Sequence, residues 1–296
     1  MSDRNRKTVT IGGRPVGPGY PVYVVAEIGL NHNGDLDLAK RLIDAAHKAG
    51  CNAVKFQKRT PELCVPPDQK TKMRETPWGY ISYLEYRYKV EFGTKEYREI
   101  DDYCRRLGLT WFASCWDPES VEFLRPFNLP AIKIPSAAVT DFELLAAARS
   151  LGCPIVMSSG MSTLEQIRAA VGFLKADDLI LCHSTSTYPC PLPELNLKVI
   201  TALKREFDCP IGYSGHDVGL ATTVATVALG ASLIERHITL DRSMWGSDQA
   251  ASVEPQGFAR LVKDIRNLEI ALGDGIKRVY DSEIPIMSKL RRVRTD

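Results

Sequence analysis

The 296-residue sequence predicts a (β/α)8 TIM barrel, and three observations carry that expectation. Short, β-rich apolar runs alternate eight times with segments of helical period, the pattern of a parallel sheet wrapped by helices. No composition break interrupts the series, so one barrel accounts for the length without a second domain. Each apolar run stops at a polar or ionisable residue, and the C-terminal strand ends are where such barrels collect their chemistry. A doubly wound open sheet is the rival fold. It announces itself by a glycine-rich turn after the first strand, and Gly29-Leu30-Asn31-His32-Asn33-Gly34 does not fit G-x-G-x-x-G.

In chain order, Thr8 to Pro15 alternates weakly around Gly12-Gly13 and reads as a short N-terminal hairpin. Val22 to Ile28 is the first barrel strand. Asp35 can cap a helix through Leu38, Leu42, Ile43 and Ala46 that ends at Gly50. Ala53 to Phe56 is the second strand. The long segment from Arg59 to Gly93 holds Trp78, Tyr80, Tyr83, Tyr86 and Tyr88, too aromatic for disorder, and reads as a lid over the strand ends or a subunit contact. A helix from Thr94 to Leu107 stops at Gly108, Leu109 to Ala113 is the third strand, Glu119 to Leu124 a short helix, and Ala131 to Ile134 the fourth strand. Thr140-x-x-Glu143 and Ser162-x-x-Glu165 have the form of capping boxes on either side of the fifth strand, Ile155 to Met157. Leu179 to Cys182 is the sixth strand and Leu195 to Phe207 its helix. The seventh and eighth strands are the runs ending at His216 and His237, joined by a helix from Gly219 to Leu229, and Glu254 to Leu272 closes the series. Residues 1–275 are expected to form the barrel domain, and 276–296 a short basic tail (Lys289, Arg291, Arg292, Arg294) with no second domain.

With 44% hydrophobic residues, 25% charged residues and a net charge of +2, the composition is that of an ordinary globular protein. No basic stripe suggests nucleic acid and no run of 18 apolar residues suggests a membrane. The N-terminus lacks the apolar stretch of a leader. The eight cysteines form no C-x-x-C pair and sit largely within apolar patterns, which reads as small buried hydrophobes in a reducing compartment. A cytoplasmic protein is expected.

Reading the strand ends in turn gives Glu27, then Lys55 with Gln57, Ser114, Lys133 with Ser136, Ser158 with Ser159, His183, Ser214 with His216, and Glu235 with His237. Four of the five histidines (His32, His183, His216, His237) fall at or just beyond a strand end, and only His47 lies on a helix. Parallel strands joined by one helix end on the same side of a sheet, so His216 and His237 make a seat for a divalent metal such as Mn, Fe, Co or Zn. Each would equally serve as a hydrogen-bond partner of a loop carbonyl. Lys55 and Lys133, ending buried strands, call for an anion. With the neighbouring hydroxyls they suit a small, multiply charged one, such as a phosphate ester bearing a carboxylate. Glu27 and Glu235 stand among these cations, available for acid–base work or for sugar hydroxyls.

At this level of detail the motifs resemble those of the sialic acid synthase family. The resemblance rests on Val24-Val25-Ala26-Glu27-Ile28-Gly29-Leu30-Asn31-His32-Asn33-Gly34, Ala53-Val54-Lys55-Phe56-Gln57, Ile132-Lys133-Ile134-Pro135-Ser136, Ser158-Ser159-Gly160-Met161, Tyr188-Pro189, Gly212-Tyr213-Ser214-Gly215-His216 and Glu235-Arg236-His237. These occur in the family's order and span nearly the whole chain. The resemblance implies a barrel that condenses phosphoenolpyruvate with an aldose (N-acetylmannosamine or its 6-phosphate) to a 2-keto-3-deoxy sugar acid, releasing phosphate. It also implies a divalent metal, Mn2+ foremost with Mg2+ or Co2+ as alternatives, and a homo-oligomer, a dimer first. Position by position, it places the metal on His216 and His237. It places phosphoenolpyruvate on Lys55, Lys133, Ser136, Ser158 and Ser214, and the sugar against Glu27, Gln57, Tyr188 and Asp248. Glu235 lies between the substrates, and Glu27, Glu235 and Lys55 form the catalytic set.

Three departures from the family pattern matter. The C-terminal antifreeze-like domain, whose arginine reaches a partner's site, is expected to be lacking. Cys115 stands where a phosphoenolpyruvate-contacting threonine is expected. Ala137-Ala138 replaces the Gly-Glu of many members, and the lid shows no evident asparagine for the sugar. Little preference for N-acetylmannosamine over mannose or a pentose or hexose phosphate is therefore expected. Two rival functions remain: a Schiff-base aldolase on Lys55 or Lys133, which leaves the histidines idle, and a catalytically silent sugar-binding barrel, which the metal and anion residues oppose.

Overall fold

The last three apolar runs are buried along their whole length, as Leu179–His183, Ile211–Gly215 and Leu233–His237, and so is the first, Tyr23–Gly29. Strands covered on both faces belong to a sheet enclosed by helices. In the computed structural model of the chain, which describes residues 7–175 and 177–293, these strands join Ala53–Lys58, Thr110–Cys115, Ile132–Ile134 and Ile155–Ser158 in a closed parallel barrel. Each strand pairs with its sequence neighbours, and the eighth closes on the first with His237 beside Glu27. The same register sets Ser214 beside Glu235, Glu27 beside Lys55 and Ser114 beside Lys133. The expected (β/α)8 barrel is the observed fold.

The helices form for the reasons read in the sequence. Asp35 caps Leu36–Lys48, its carboxylate accepting from the amides of Asp37 and Leu38, and Leu38, Ala39, Leu42, Ile43 and Ala46 form the buried face. Two helix starts differ by one residue from the expected boxes. Asp141, not Thr140, caps Phe142–Arg149, and Thr163, not Ser162, caps Leu164–Leu174 with Gln166 returning the bond. In both places a second good capping residue follows the first, and spacing alone does not choose between them. The helix after the sixth strand is Lys198–Glu206, shorter than expected, because Asn196 adopts φ 39° and the helix can start only beyond it.

The N-terminal hairpin pairs Val9–Ile11 with Arg14–Val16, and Val9, Ile11 and Val16 join the core. A Cβ on Gly12 would strike Thr110 at the start of the third strand, so the hairpin lies against the barrel's N-terminal end. At the opposite end, the long segment after the second strand folds into a hairpin of Met73–Thr76 with Gly79–Ser82 and a helix, Tyr83–Val90. Tyr86 and Val90 bury against Leu30 of the loop after the first strand, and Trp78 and Tyr86 meet Trp245 edge-on. The segment thus packs on the loops that follow the first and eighth strands, at the end of the barrel where the strands stop. The tail carries a short exposed helix, Ile284–Leu290, and Arg294 lies outside the described residues. No helix among the described residues is long and apolar enough to cross a membrane.

His32 belongs to the lid's foundation. It is buried, stacks on Phe92 at 4.0 Å, and accepts from the Gly34 amide through Nδ1 at 3.0 Å. Burial pushes its imidazole from 6.5 down to about 3. The unfolded chain therefore binds a proton below pH 6.5 that the native state refuses. Native stability is expected to fall as pH drops from 6.5 towards 3, by about 1.4 kcal/mol per pH unit for each such histidine. Urea unfolding at pH 7, 6 and 5 measures this, and a H32Q variant is expected to show a shallower dependence than the parent chain.

Candidate active site

The site begins at a bulge. The register between the first and second strands shifts between Glu27 and Gly29, which re-aims the side chains that follow. Gly29 adopts φ 55°, and a Cβ there would sit 3.1 Å from both Gln57 Nε2 and Glu27 Oε1 and 3.4 Å from His237 Cε1. Glycine alone permits three functional side chains to converge on that backbone.

Four buried ions from the first, second, fourth and eighth strands meet above the barrel core. Lys55 Nζ donates to Ser114 Oγ at 2.6 Å and lies 2.7 Å from Glu27 Oε2 and 3.6 Å from Glu235 Oε1. Lys133 Nζ donates to both Glu235 oxygens, at 3.0 and 2.9 Å, and Ser214 Oγ donates to Oε1 at 3.0 Å. Gln57 Nε2 donates to Glu27 Oε1 at 2.6 Å. Burial alone would raise the Glu235 carboxyl, but Lys133 and Lys55 outweigh it and hold it down at about 2. Burial likewise works to lower Lys133, and Glu235 carries it above its ordinary value of 10.5.

The lysines were expected to await an anion. Their charges are instead already matched, two against two, because an unpaired ion at this depth costs several kcal/mol. The sequence showed each residue singly, whereas the barrel's closure brings Glu235 to Lys133. An incoming anion still finds donors. Each ammonium carries three N–H groups and uses two on these partners. Ser158 and Ser184 hydroxyls are buried without a hydrogen-bond partner, and Ser136 Oγ already accepts from the Gly160 amide at 3.1 Å. A Schiff-base nucleophile needs a neutral amine, so the raised Lys133 speaks against that rival at Lys133.

The residues to which the resemblance gives a role all line this one cavity except Asp248, and of the other strand-end residues Ser114 lines it while Ser159 and His183 do not. Asp248 lies beside His237 at the edge of the cavity, with Oδ2 3.8 Å from His237 Nδ1. Only two of the four strand-end histidines face the cavity. His32 is structural, and His183 directs Nε2 to the Leu195 carbonyl at 2.7 Å. Trp116, Ser184 and Ser186 also line the cavity and were missed, although the hydroxyl run Ser184-Thr185-Ser186 directly follows His183.

His216 and His237 lie with ring centroids 5.6 Å apart, and the Tyr188 ring lies 4.0 Å from that of His216 with the planes tilted by 36°. His216 Nδ1 donates to the Thr185 carbonyl at 2.7 Å; a carbonyl only accepts, so Nε2 keeps its lone pair. Burial, then the neighbouring His237, holds this imidazole down at about 3, hence neutral. His237 Nδ1 is buried with no hydrogen-bond partner. Among the described residues no group of three or more His, Cys, Asp or Glu side chains forms a complete metal cage. Two adjacent imidazoles with an orphaned nitrogen fit a divalent ion whose remaining positions belong to water and substrate. Arg236, pointing away from the cavity between Glu235 and His237, is buried and donates to the carbonyls of Asp217 and, at 3.0 Å, Gly219. It thereby braces the loop that carries His216.

Comparison with known proteins agrees with this geometry. Residues 42–277 match the model of the NeuB family. The chain is 40% identical over 287 residues to human N-acetylneuraminate-9-phosphate synthase, covering 94% of this chain and 79% of that protein. It is 34% identical to the N,N'-diacetyllegionaminic acid synthase of Legionella pneumophila, over 95% and 82% of the two chains. The crystal structure of the N-acetylneuraminic acid synthetase of Leptospira borgpetersenii in complex with citrate matches with a TM-score of 0.86 at 32% identity, covering 97% of this chain and 99% of that one.

The four-ion set makes a prediction independent of any substrate. K133M leaves an ionised, buried Glu235 with Lys55 and Ser214 alone, and is expected to cost about 3 kcal/mol, the scale for breaking a buried pair. Urea unfolding measures it. K133M/E235Q is expected to recover part of the loss, and a single-variant loss below about 1 kcal/mol would contradict the buried pairing.

Proposed function

The chain belongs to the NeuB family, and on that premise we propose that it condenses phosphoenolpyruvate with an aldose, as an N-acetylneuraminate synthase-type transferase. The observation that carries this reading is one cavity holding two buried lysines, two carboxylates, unpartnered serine hydroxyls and two imidazoles. Lys55, Lys133, Ser136, Ser158 and Ser214 hold the phosphate and carboxylate of phosphoenolpyruvate by charge-assisted and hydroxyl hydrogen bonds, with Ser184 as a further donor. Glu27, Gln57, Tyr188 and Asp248 form the acceptor side.

C3 of phosphoenolpyruvate bonds to the aldehyde carbon, and the aldehyde oxygen takes up a proton. Water adds at C2, the C2–O bond to phosphate breaks, and a 2-keto-3-deoxy sugar acid and inorganic phosphate remain. Holding both substrates turns a bimolecular encounter into a positioned one. Glu235, ionised in the free site, faces the carbon that becomes electron-poor as C3 attacks, and stabilises that charge. A phosphate drawing on Lys55 and Lys133 loosens their hold on Glu235 and raises its basicity as substrate binds, which suits it to take the proton of the attacking water. Glu27, held between Lys55 and Gln57, orients acceptor hydroxyls. His216 and His237 would hold a divalent ion, Mn2+ first and Mg2+ or Co2+ as alternatives, which when bound supplies a Lewis acid for the aldehyde oxygen.

We further propose an acceptor without an obligatory N-acetyl group, since the wall after Ser136 presents the methyl of Ala137, with Ala138 buried beside it. A cytoplasmic setting is supported by eight cysteines, none of them in a disulfide among the described residues. A homo-oligomer, a dimer first, is supported by the exposed apolar side chains of Ile276, Ile284 and Leu290.

Phosphate release from phosphoenolpyruvate across a panel of aldoses with Mn2+ tests the reaction, and a chelator is expected to abolish it. Calorimetric titration of H216A and H237A is expected to show about tenfold weaker metal binding or worse. The kcat/KM ratio for N-acetylmannosamine over mannose is expected below about tenfold. A ratio above about a hundredfold, near 2.7 kcal/mol, would assign an acetyl-recognising contact to this cavity.

A further inference from the structure

Arg59 stands where the second barrel strand passes into the lid, and its side chain is buried. Its guanidinium lies over the Trp116 ring at 3.8 Å, and Nη2 donates to Gln57 Oε1 at 2.6 Å. Arginine has donors and no acceptor, so this bond fixes the sense of the Gln57 amide. Oε1 receives Arg59, and Nε2 must then serve Glu27, which it does at 2.6 Å. Glu27 ends the line against Lys55 at 2.7 Å. On the other side, the Arg59 amide donates at 3.2 Å to Glu91 Oε2, the residue that ends the lid helix. Arg87 of that helix lies 3.8 Å from the same carboxylate. Arg59 thus touches the lid with its backbone and, with Nη1 3.9 Å from Glu91 Oε1, with its side chain, which also reaches the cavity wall through Gln57.

We propose that Arg59 is a positioning residue for the acceptor sugar. It locks the Gln57 amide, and through it the Glu27 carboxylate, in one orientation towards the acceptor, and couples that orientation to the seated lid. The proposal rests on the reading that Gln57 and Glu27 face the acceptor. It distinguishes Arg59 from a residue that merely braces the lid, because a brace acts without Gln57.

The test is a cycle of R59M and R59K in the parent and Q57A backgrounds, read as steady-state constants for both substrates, with a crystal structure of R59M. R59M is expected to raise the acceptor KM by about tenfold, the effect of losing a charge-assisted hydrogen bond, while the phosphoenolpyruvate KM moves by less than about twofold. R59K, which keeps a donor, is expected to restore part of the loss. In Q57A the further change R59M is expected to add less than about twofold, since its route of action is already gone. Effects that multiply across the two positions overturn the proposal, as does an R59M structure in which Gln57 keeps its contact with Glu27. Should the parent enzyme release no phosphate with any aldose, the synthase reading fails, and the R59M structure still decides whether Arg59 sets Gln57.

Discussion

The interlocked set of Glu27, Lys55, Lys133 and Glu235 is the constraint on which the rest depends. Each ion alone would be prohibitively costly at its depth, and together they balance. They come from four different strands, so the set exists only when the barrel is closed in one register. A one-residue slip of any of these strands would turn its ion outwards and leave its partner buried alone. The fold and the site are thus a single requirement seen from two sides. The bulge at Gly29 belongs to it as well, since Glu27 reaches Lys55 and Gln57 only because no Cβ stands at position 29.

Much of this was legible in the sequence. The alternation of apolar runs with amphipathic helices gave the barrel, because strands buried on both faces cannot hide their composition. The polar residues closing those runs gave the cavity wall almost entire. What was illegible is pairwise. The lysines read as unpaired because Lys133 and Glu235 are 102 positions apart, and only barrel geometry makes them neighbours. His32 and His183 looked equivalent to His216 and His237, since all four follow apolar runs. One stacks on Phe92 and one meets a loop carbonyl, contacts that no local pattern encodes. Arg59 was visible as a basic residue at the edge of the lid, but its direction was not.

The free site carries a built-in asymmetry. Its charges are neutralised, while the hydroxyls of Ser158 and Ser184 are not satisfied. An unsatisfied buried hydroxyl costs about 1–3 kcal/mol, so a ligand that accepts from these serines relieves a penalty already present. An anion can therefore bind although the lysines are paired. It shares donors with Glu27 and Glu235 and completes the serines. The same sharing weakens the lysines' grip on Glu235, so substrate binding itself adjusts the carboxylate nearest the reacting carbon.

The two halves of the cavity rest on different kinds of structure. The anion side is built from strand ends, where backbone position is fixed by the hydrogen-bonded ladder and substitution disturbs the ion set. The acceptor side draws on Tyr188 and Asp248 in loops, and on Gln57 as oriented by Arg59 at the root of the lid. Loops and lids change without altering strand register. Chemistry common to the barrel can then remain constant while the acceptor varies, provided each new lid still presents a donor that fixes Gln57. On this view the identity of the acceptor is to be sought in residues 59–93 and in the loops after the sixth and eighth strands, and not in the strand-end motifs that reveal the reaction.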